Sequence, residues 1–210
     1  MNRLPLIFLG VLITFASSWL GFVVYPYFAL GHMRPVPDED TGGYFPPALS
    51  GLAVAGERVY AANGCVYCHS QQVRPGALST DIQKGLGPRR TVARDYLRTQ
   101  PVFLGTMRTG PDLANVGIRR TDTGWLHRHL YDSRSVTEWS VMPSYRFLYK
   151  VRQIQGQPSD DALQGLAGPH APPAGYEVVP TDDANALVAY LLSLKRNYPL
   201  PEAPLPAGKK

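Results

Sequence analysis

Cysteine is almost missing from this chain. Its 210 residues hold two, far too few for a disulfide scaffold, so their spacing matters more than their number. No further ligands stand near them at zinc spacing and no βαβ pattern surrounds them, which weighs against a structural zinc site and a thioredoxin-like dithiol. Signatures of a nucleic-acid reader are also lacking, although the net charge is +5 and the pI about 9.3, so no nucleic-acid partner is expected. The basic excess is local. Lys84 to Arg120 carries eight basic residues against Asp95 and Asp112, which leaves the remainder near neutral and suits an acidic partner, an anionic edge or a lipid surface. Glycine and proline, by contrast, are plentiful at 20 each, which implies few regular elements joined by irregular backbone. The length allows one ordinary domain plus extras.

Charge is absent altogether from Leu4 to Leu30, a run that spans roughly 40 Å at helical rise and is long enough to cross a bilayer. Pro5 sits where a helix start tolerates it, and Pro26 near the far end. Trp19, Tyr25 and Tyr27 crowd the C-terminal half, as at a membrane interface. A cleaved signal peptide is the rival reading, but the run is too long for a signal core and no clear small-x-small site follows. A retained anchor over residues 1–31, in contact with membrane lipid, is therefore expected. Arg3 precedes the span, while Asp38, Glu39 and Asp40 follow it with Arg34, so the N-terminus is placed in the cytoplasm and the remainder outside. Gly10, Thr14, Ser17 and Gly21 form a small stripe that suits a neighbouring helix. Residues 32–49 read as a short linker, stiffened by four prolines between Pro35 and Pro47.

The two cysteines lie in Cys65-Val-Tyr-Cys68-His69, the attachment pattern for c-type haem. In that pattern two thiols form thioethers to the porphyrin edge and the adjoining histidine lies under the iron. One covalent haem c is the cofactor expected. A mainly α frame surrounds the pentad. Ser50 to Asn63 reads as a short helix with Leu52, Val59 and Tyr60 near one face and Gly56 allowing close approach. A second helix starts at Pro180-Thr181-Asp182-Asp183, with Thr181 as N-cap and Leu187, Tyr190, Leu191 and Leu194 at helical period up to Lys195 and Arg196. Two helices flanking a pentad and a loop-rich middle resemble class I cytochrome c, so residues 50–198 read as one such domain. That resemblance implies a distal ligand, for which Met107, His127, His129 and Met142 are available. Met142, before Pro143 and ahead of the last helix, stands where cytochromes c supply their sulfur and is preferred. His127 and His129 read as packing or hydrogen-bonding residues. Gly110-Pro111-Asp112-Leu113 resembles the segment whose proline carbonyl orients the proximal histidine, which points to Pro111, with Gly87-Pro88 as runner-up. Arg108 and Arg74 are the candidates for the haem propionates, while Arg89, Arg94 and Arg98 read as solvated.

Several longer segments resemble the mono-haem subunit II of cbb-type cytochrome c oxidases (the FixO/CcoO type). They are Gly64 through Pro75, Gly105 through Gly117, Trp125 to Leu130, and Met142-Pro143-Ser-Tyr145, covering most of residues 4–150 with the span. The resemblance implies Cys65 and Cys68 as haem attachments and His69 and Met142 as axial ligands. It also implies electron relay, in aerobic respiration, from a soluble cytochrome c or a di-haem subunit to the haem–copper catalytic membrane subunit. The chain is not expected to be catalytic alone. Residues 151–180 and the Pro-rich tail 199–210 match poorly and read as loop-rich insertion and loose extension. A nitric oxide reductase subunit, an independent anchored shuttle and a haem sensor are the alternatives. Met142 argues against the sensor, the short linker against the shuttle, and the 71–75 and 105–117 segments favour the oxidase.

Overall fold

The computed structural model describes residues 3–49 and 51–206. Ser50, expected to open the first helix of the domain, lies outside the described residues, as do residues 1–2 of the anchor segment and 207–210 of the tail.

The charge-free run forms one continuous helix, Leu4–Leu30, with no part of its apolar window buried in the rest of the chain, so it is long and apolar enough to cross a membrane. It consists of α1 (Leu4–Trp19), a widened π turn (Leu20–Val24) and α2 (Tyr25–Leu30). Pro26 explains the widening. Its ring cannot donate to the carbonyl of Phe22 and crowds it, and one wider turn, with Tyr25 N–H donating to Leu20, lets the helix pass the proline. In the small stripe, the Thr14 and Ser17 hydroxyls donate to Gly10 and Thr14 carbonyls within the helix, while Gly10 and Gly21 face open space.

The remainder is helix-rich, with two short antiparallel ribbons. β1 (Val36–Pro37) pairs with β2 (Tyr44–Phe45); then come α3 (Leu52–Ala62), α4 (Val116–Arg119), α5 (Thr123–Tyr131), α6 (Ser133–Val136), β3 (Tyr149–Gln153), β4 (Tyr176–Pro180) and α7 (Asp182–Ser193). The crossing of α3 and α7 organises the core. Ala53, Gly56 and Tyr60 recur on the buried face of α3, and α7 buries Leu187, Val188, Tyr190 and Leu191. Leu52, expected on that face, stands 50% exposed at the helix start instead. Thr181 caps α7, its hydroxyl accepting from Ala184 N–H at 3.3 Å, with Asp182 and Asp183 in the first turn. At Gly56 the backbones meet so closely that a Cβ would stand 1.8 Å from the Ala186 carbonyl oxygen. Gly56→Ala is therefore expected to destabilise the domain by about 1–3 kcal/mol or more, read as a lower unfolding midpoint, because a helix backbone cannot yield as a flexible side chain does.

Residues 151–180, expected to be loop-rich, begin and end as strands: β3 pairs with β4 from Tyr149↔Pro180 to Gln153↔Tyr176. The excursion between them is pinned by buried Glu177, which accepts Ser159 N–H and Oγ–H at 2.7 Å each and Arg152 Nε–H at 2.7 Å. These bonds, those from Ser159 foremost, hold the Glu177 carboxyl down at about 2 from an ordinary 4.5. Because its folded value is depressed, its contribution is complete above about 4.5 and is lost as pH falls toward 2. The denaturation midpoint is expected to drop across that window in the wild type and to drop less in Glu177→Gln.

The tail is not loose. Tyr198, Leu200 and Ala203 form a second small core with Val92, against which Val36 and Phe45 pack. Phe45 stacks on Tyr198 at 4.4 Å and 8°. Arg89, read from sequence as solvated, is 4% exposed and grips Asp95 through both ends of its fork, at 2.8 and 2.9 Å, while its Nε–H donates to the Tyr198 carbonyl. Arg94, read the same way, pairs with Glu202 and also donates to the Arg34 carbonyl. Arg98 alone of the three is exposed. This clasp joins the segment following the anchor helix, the 89–95 loop and the tail into one body.

Candidate functional site

The pentad begins where α3 ends. Gly64 takes a left-handed φ of +65°, which a side chain would strain, and the chain then makes a 3-10 turn over Cys65–Tyr67. Cys68 and His69 N–H both donate to the Cys65 carbonyl, at 3.2 and 3.0 Å. One turn thus gathers two thiols and an imidazole. Both cysteines are free thiols, Cys68 exposed and Cys65 half-buried against the main core. Burial pushes the Cys65 thiol up to about 11.

His69 is held from behind. Its Nδ1 lies 2.7 Å from the Pro111 carbonyl oxygen, which can only accept, so Nδ1 carries the proton and Nε2 keeps its lone pair. Burial lowers His69 below the ordinary histidine value, which keeps the ring neutral and able to ligate. Gly110 is the floor of this cradle: a Cβ there would stand 2.1 Å from His69 Cε1.

Behind the cradle lies a network not anticipated from the sequence. Asp112, fully buried, accepts from Ser70 Oγ–H (2.6 Å), Gln72 N–H (2.7 Å) and Ala114 N–H (2.8 Å). Arg108 donates to Ser70 Oγ at 2.7 Å, to Asp81 and to the Gln72 carbonyl, and lies 3.6 Å from Asp112. Its guanidinium is therefore engaged by two carboxylates. Burial acts to raise Asp81, yet the bonds from Arg108, Ser79 and Arg74 N–H outweigh it and hold that carboxyl well below the usual range. Gln71, 1% exposed, accepts at its carbonyl from Tyr96 O–H and Arg196 and reaches Tyr190 with its side chain. One signal for part of this network was available: Asp95 and Asp112 are the two acids within the basic run, and each is buried beside an arginine.

The distal candidates separate clearly. Met107 is 58% exposed. His127 is buried, its Nδ1 3.1 Å from the Tyr149 hydroxyl. His129 stacks on Trp125 at 4.7 Å. Met142 is half-buried and packs on the same core cluster as Cys65, Val66 and Tyr145. Its loop is tied at both backbone groups, Ser133 Oγ–H donating to its carbonyl at 2.7 Å and its N–H donating to Ser140 Oγ at 3.2 Å. Arg74 is half-buried; its N–H donates to Asp81, and no acidic side chain among the described residues pairs with its guanidinium.

Across residues 7–167 the chain matches the family model of the cytochrome c oxidase mono-haem subunit, FixO. The chain belongs to the FixO family. The match takes in the anchor helix from residue 7 on, the pentad, the His69 cradle and the Met142 loop, and it runs beyond residue 150 into the β3–β4 excursion. It stops short of β4, α7 and the tail, so the helix that crosses α3 lies outside the matched segment. A search of curated proteins found no match. Membership makes this FixO chain a mono-haem subunit of a cbb-type cytochrome c oxidase, and its one apolar helix is consistent with a membrane-anchored subunit.

The residues present fit a haem. Two free thiols share one turn with an imidazole whose Nδ1 is already bonded, a glycine floor leaves room for the ring, and a thioether stands on the same core cluster as Cys65.

Proposed function

We propose that this chain is the anchored electron-relay subunit of its oxidase, with Cys65 and Cys68 as thioether attachments and His69 and Met142 as axial ligands in a cytochrome c-like domain. The single observation carrying this reading is the His69 cradle, since the Pro111 bond and the Gly110 floor present Nε2 as a neutral, oriented ligand. Bound there, a haem c supplies one iron that alternates between ferric and ferrous, a one-electron store. The protein's part is to orient the ligands and keep water away. Tyr145, Val66 and Cys65 each pack against the main core, and the tied backbone of Met142 holds its loop against that core.

The domain faces the outside of the membrane in this reading, with the N-terminus in the cytoplasm, electrons arriving from a cytochrome c or a di-haem subunit and leaving for the haem–copper catalytic subunit. The clasp supports a docked subunit over a free shuttle, because β1, β2 and the Arg34 carbonyl are bound into the domain rather than forming a slack tether. Purification in mild detergent tests both halves of the proposal. A c-type α band with one haem per chain, and co-migration of a copper-containing multi-haem membrane subunit, are expected. A chain that migrates alone, or lacks covalent haem, would refute it.

A further inference from the structure

The bond between His69 and Pro111 does not stand alone. The segments 68–72 and 110–114 lie side by side, Gly110 N–H donating to the Cys68 carbonyl at 3.0 Å and Leu113 N–H to the Ser70 carbonyl at 2.7 Å. Between these two rungs the His69 Nδ1–H bond to the Pro111 carbonyl closes at 2.7 Å. One side chain, Asp112, crosses from the second segment to the first.

Asp112 is 0% exposed, and every hydrogen bond of its carboxylate is accepted. Its Oδ1 takes Ala114 N–H at 2.8 Å, which fixes the side chain on its own turn. Its Oδ2 takes Ser70 Oγ–H at 2.6 Å and Gln72 N–H at 2.7 Å, both on the other segment. A closed ring results: His69 bonds Pro111, Asp112 follows Pro111, and Asp112 bonds Ser70, which follows His69. The Ser70 hydroxyl is held in this orientation, because Arg108 Nε–H donates to the same oxygen at 2.7 Å. Arg108 is braced in turn by buried Asp81, and its guanidinium, 3.6 Å from Asp112, offsets the charge of that carboxylate. Bonds to a charged group are the stronger class, so three donors on one buried carboxylate make a firm clamp.

We infer that Asp112 is a positioning residue for the proximal ligand, clamping Pro111 onto His69 Nδ1 and so setting the donor strength of Nε2. This rests on the haem reading given above. A bond accepted from Nδ1 makes the imidazole a stronger donor, and a stronger donor favours ferric iron. Asparagine has the shape of Asp112 but cannot take its place. Whichever way the amide lies, its NH2 faces a backbone N–H, that of Gln72 or that of Ala114.

The test uses the full-length chain with isotope-labelled histidine, matured with haem and purified in detergent, as wild type, Asp112→Asn, Ser70→Ala and Glu177→Gln. Pyridine haemochrome yield is measured first, and absence of covalent haem from the wild type would reject the haem reading itself. In the ferrous protein, solvent exchange of the His69 Nδ1 proton is followed by NMR. It is expected to quicken about tenfold or more in Asp112→Asn and Ser70→Ala, the scale of one lost bond to a charged group. The midpoint potential should rise in both, and further in Asp112→Asn, which also loses a buried negative charge. Glu177→Gln, which removes a buried carboxylate from the β3–β4 excursion, should leave exchange and potential at wild-type values. Should Asp112→Asn fail to load haem, Ser70→Ala carries the test through the same two readouts. Unchanged exchange in the loaded variants, or an equal quickening in Glu177→Gln, would overturn the assignment and leave the haem reading standing.

Discussion

Met142→Leu is expected to lower the midpoint potential by on the order of 0.1 V or more, set against the roughly 0.8 V that axial ligands command across haem proteins. A thioether stabilises ferrous iron, and leucine, of similar volume, supplies no lone pair. The loop should survive the change, because it is tied by backbone bonds to Ser133 and Ser140 that the side chain does not make. The reduced protein should then bind carbon monoxide, which a thioether-ligated iron resists. Redox titration and carbon monoxide difference spectra check the two effects. Met107→Leu is the control: with its side chain 58% exposed, it should change neither. An unaltered potential in the Met142 variant would remove that residue from the ligand set.

Asp95→Ala is expected to cost about 3–5 kcal/mol, because it leaves Arg89 charged and buried with its fork unmet. Arg89 is 4% exposed, and its remaining bonds are to the carbonyls of Tyr198 and Arg90, which cannot neutralise it. The same change frees Val92 N–H, which donates to Asp95. The damage should be local before it is global: protease should cut between 198 and 206 in the variant under conditions where the wild type is intact. Replacing both partners, Arg89→Met with Asp95→Leu, should be markedly less harmful than either single change, since desolvation of the pair consumes much of its attraction. Denaturant midpoints for the three variants decide it. Equal loss in single and double variants would mean that shape, not charge, governs the site.

The Arg89–Asp95 pair bears on how the domain is mounted. The anchor helix ends at Leu30, and only the segment through Leu49 joins it to the domain. If that segment were slack, the distance from this subunit to any neighbour would vary widely. Instead Phe45 is stacked on Tyr198, and Arg94 spans from the Arg34 carbonyl to Glu202. A clasp built from the segment after the anchor helix, the tail and a basic loop holds the domain near the helix that carries it.

The parts legible in the sequence are those fixed by neighbours along the chain. The uncharged run forms one helix, since nothing within it needs water. Gly56 marks the closest approach of α3 and α7, and Thr181 caps α7, because period and capping act within a few residues. The pentad's one-turn geometry follows from its own spacing. What escaped the sequence was the partner of each arginine. Arg89 meets the Tyr198 carbonyl and Arg94 meets Glu202 across 109 and 108 residues, and no local pattern marks a guanidinium bound for so distant a partner. The tail, rich in proline and without periodicity, is indistinguishable from a loose one until Tyr198 and Leu200 are seen packing on Val92. Spacing along the chain thus set the chemistry available at residues 65–69, while long-range packing decided which charges stand beside it.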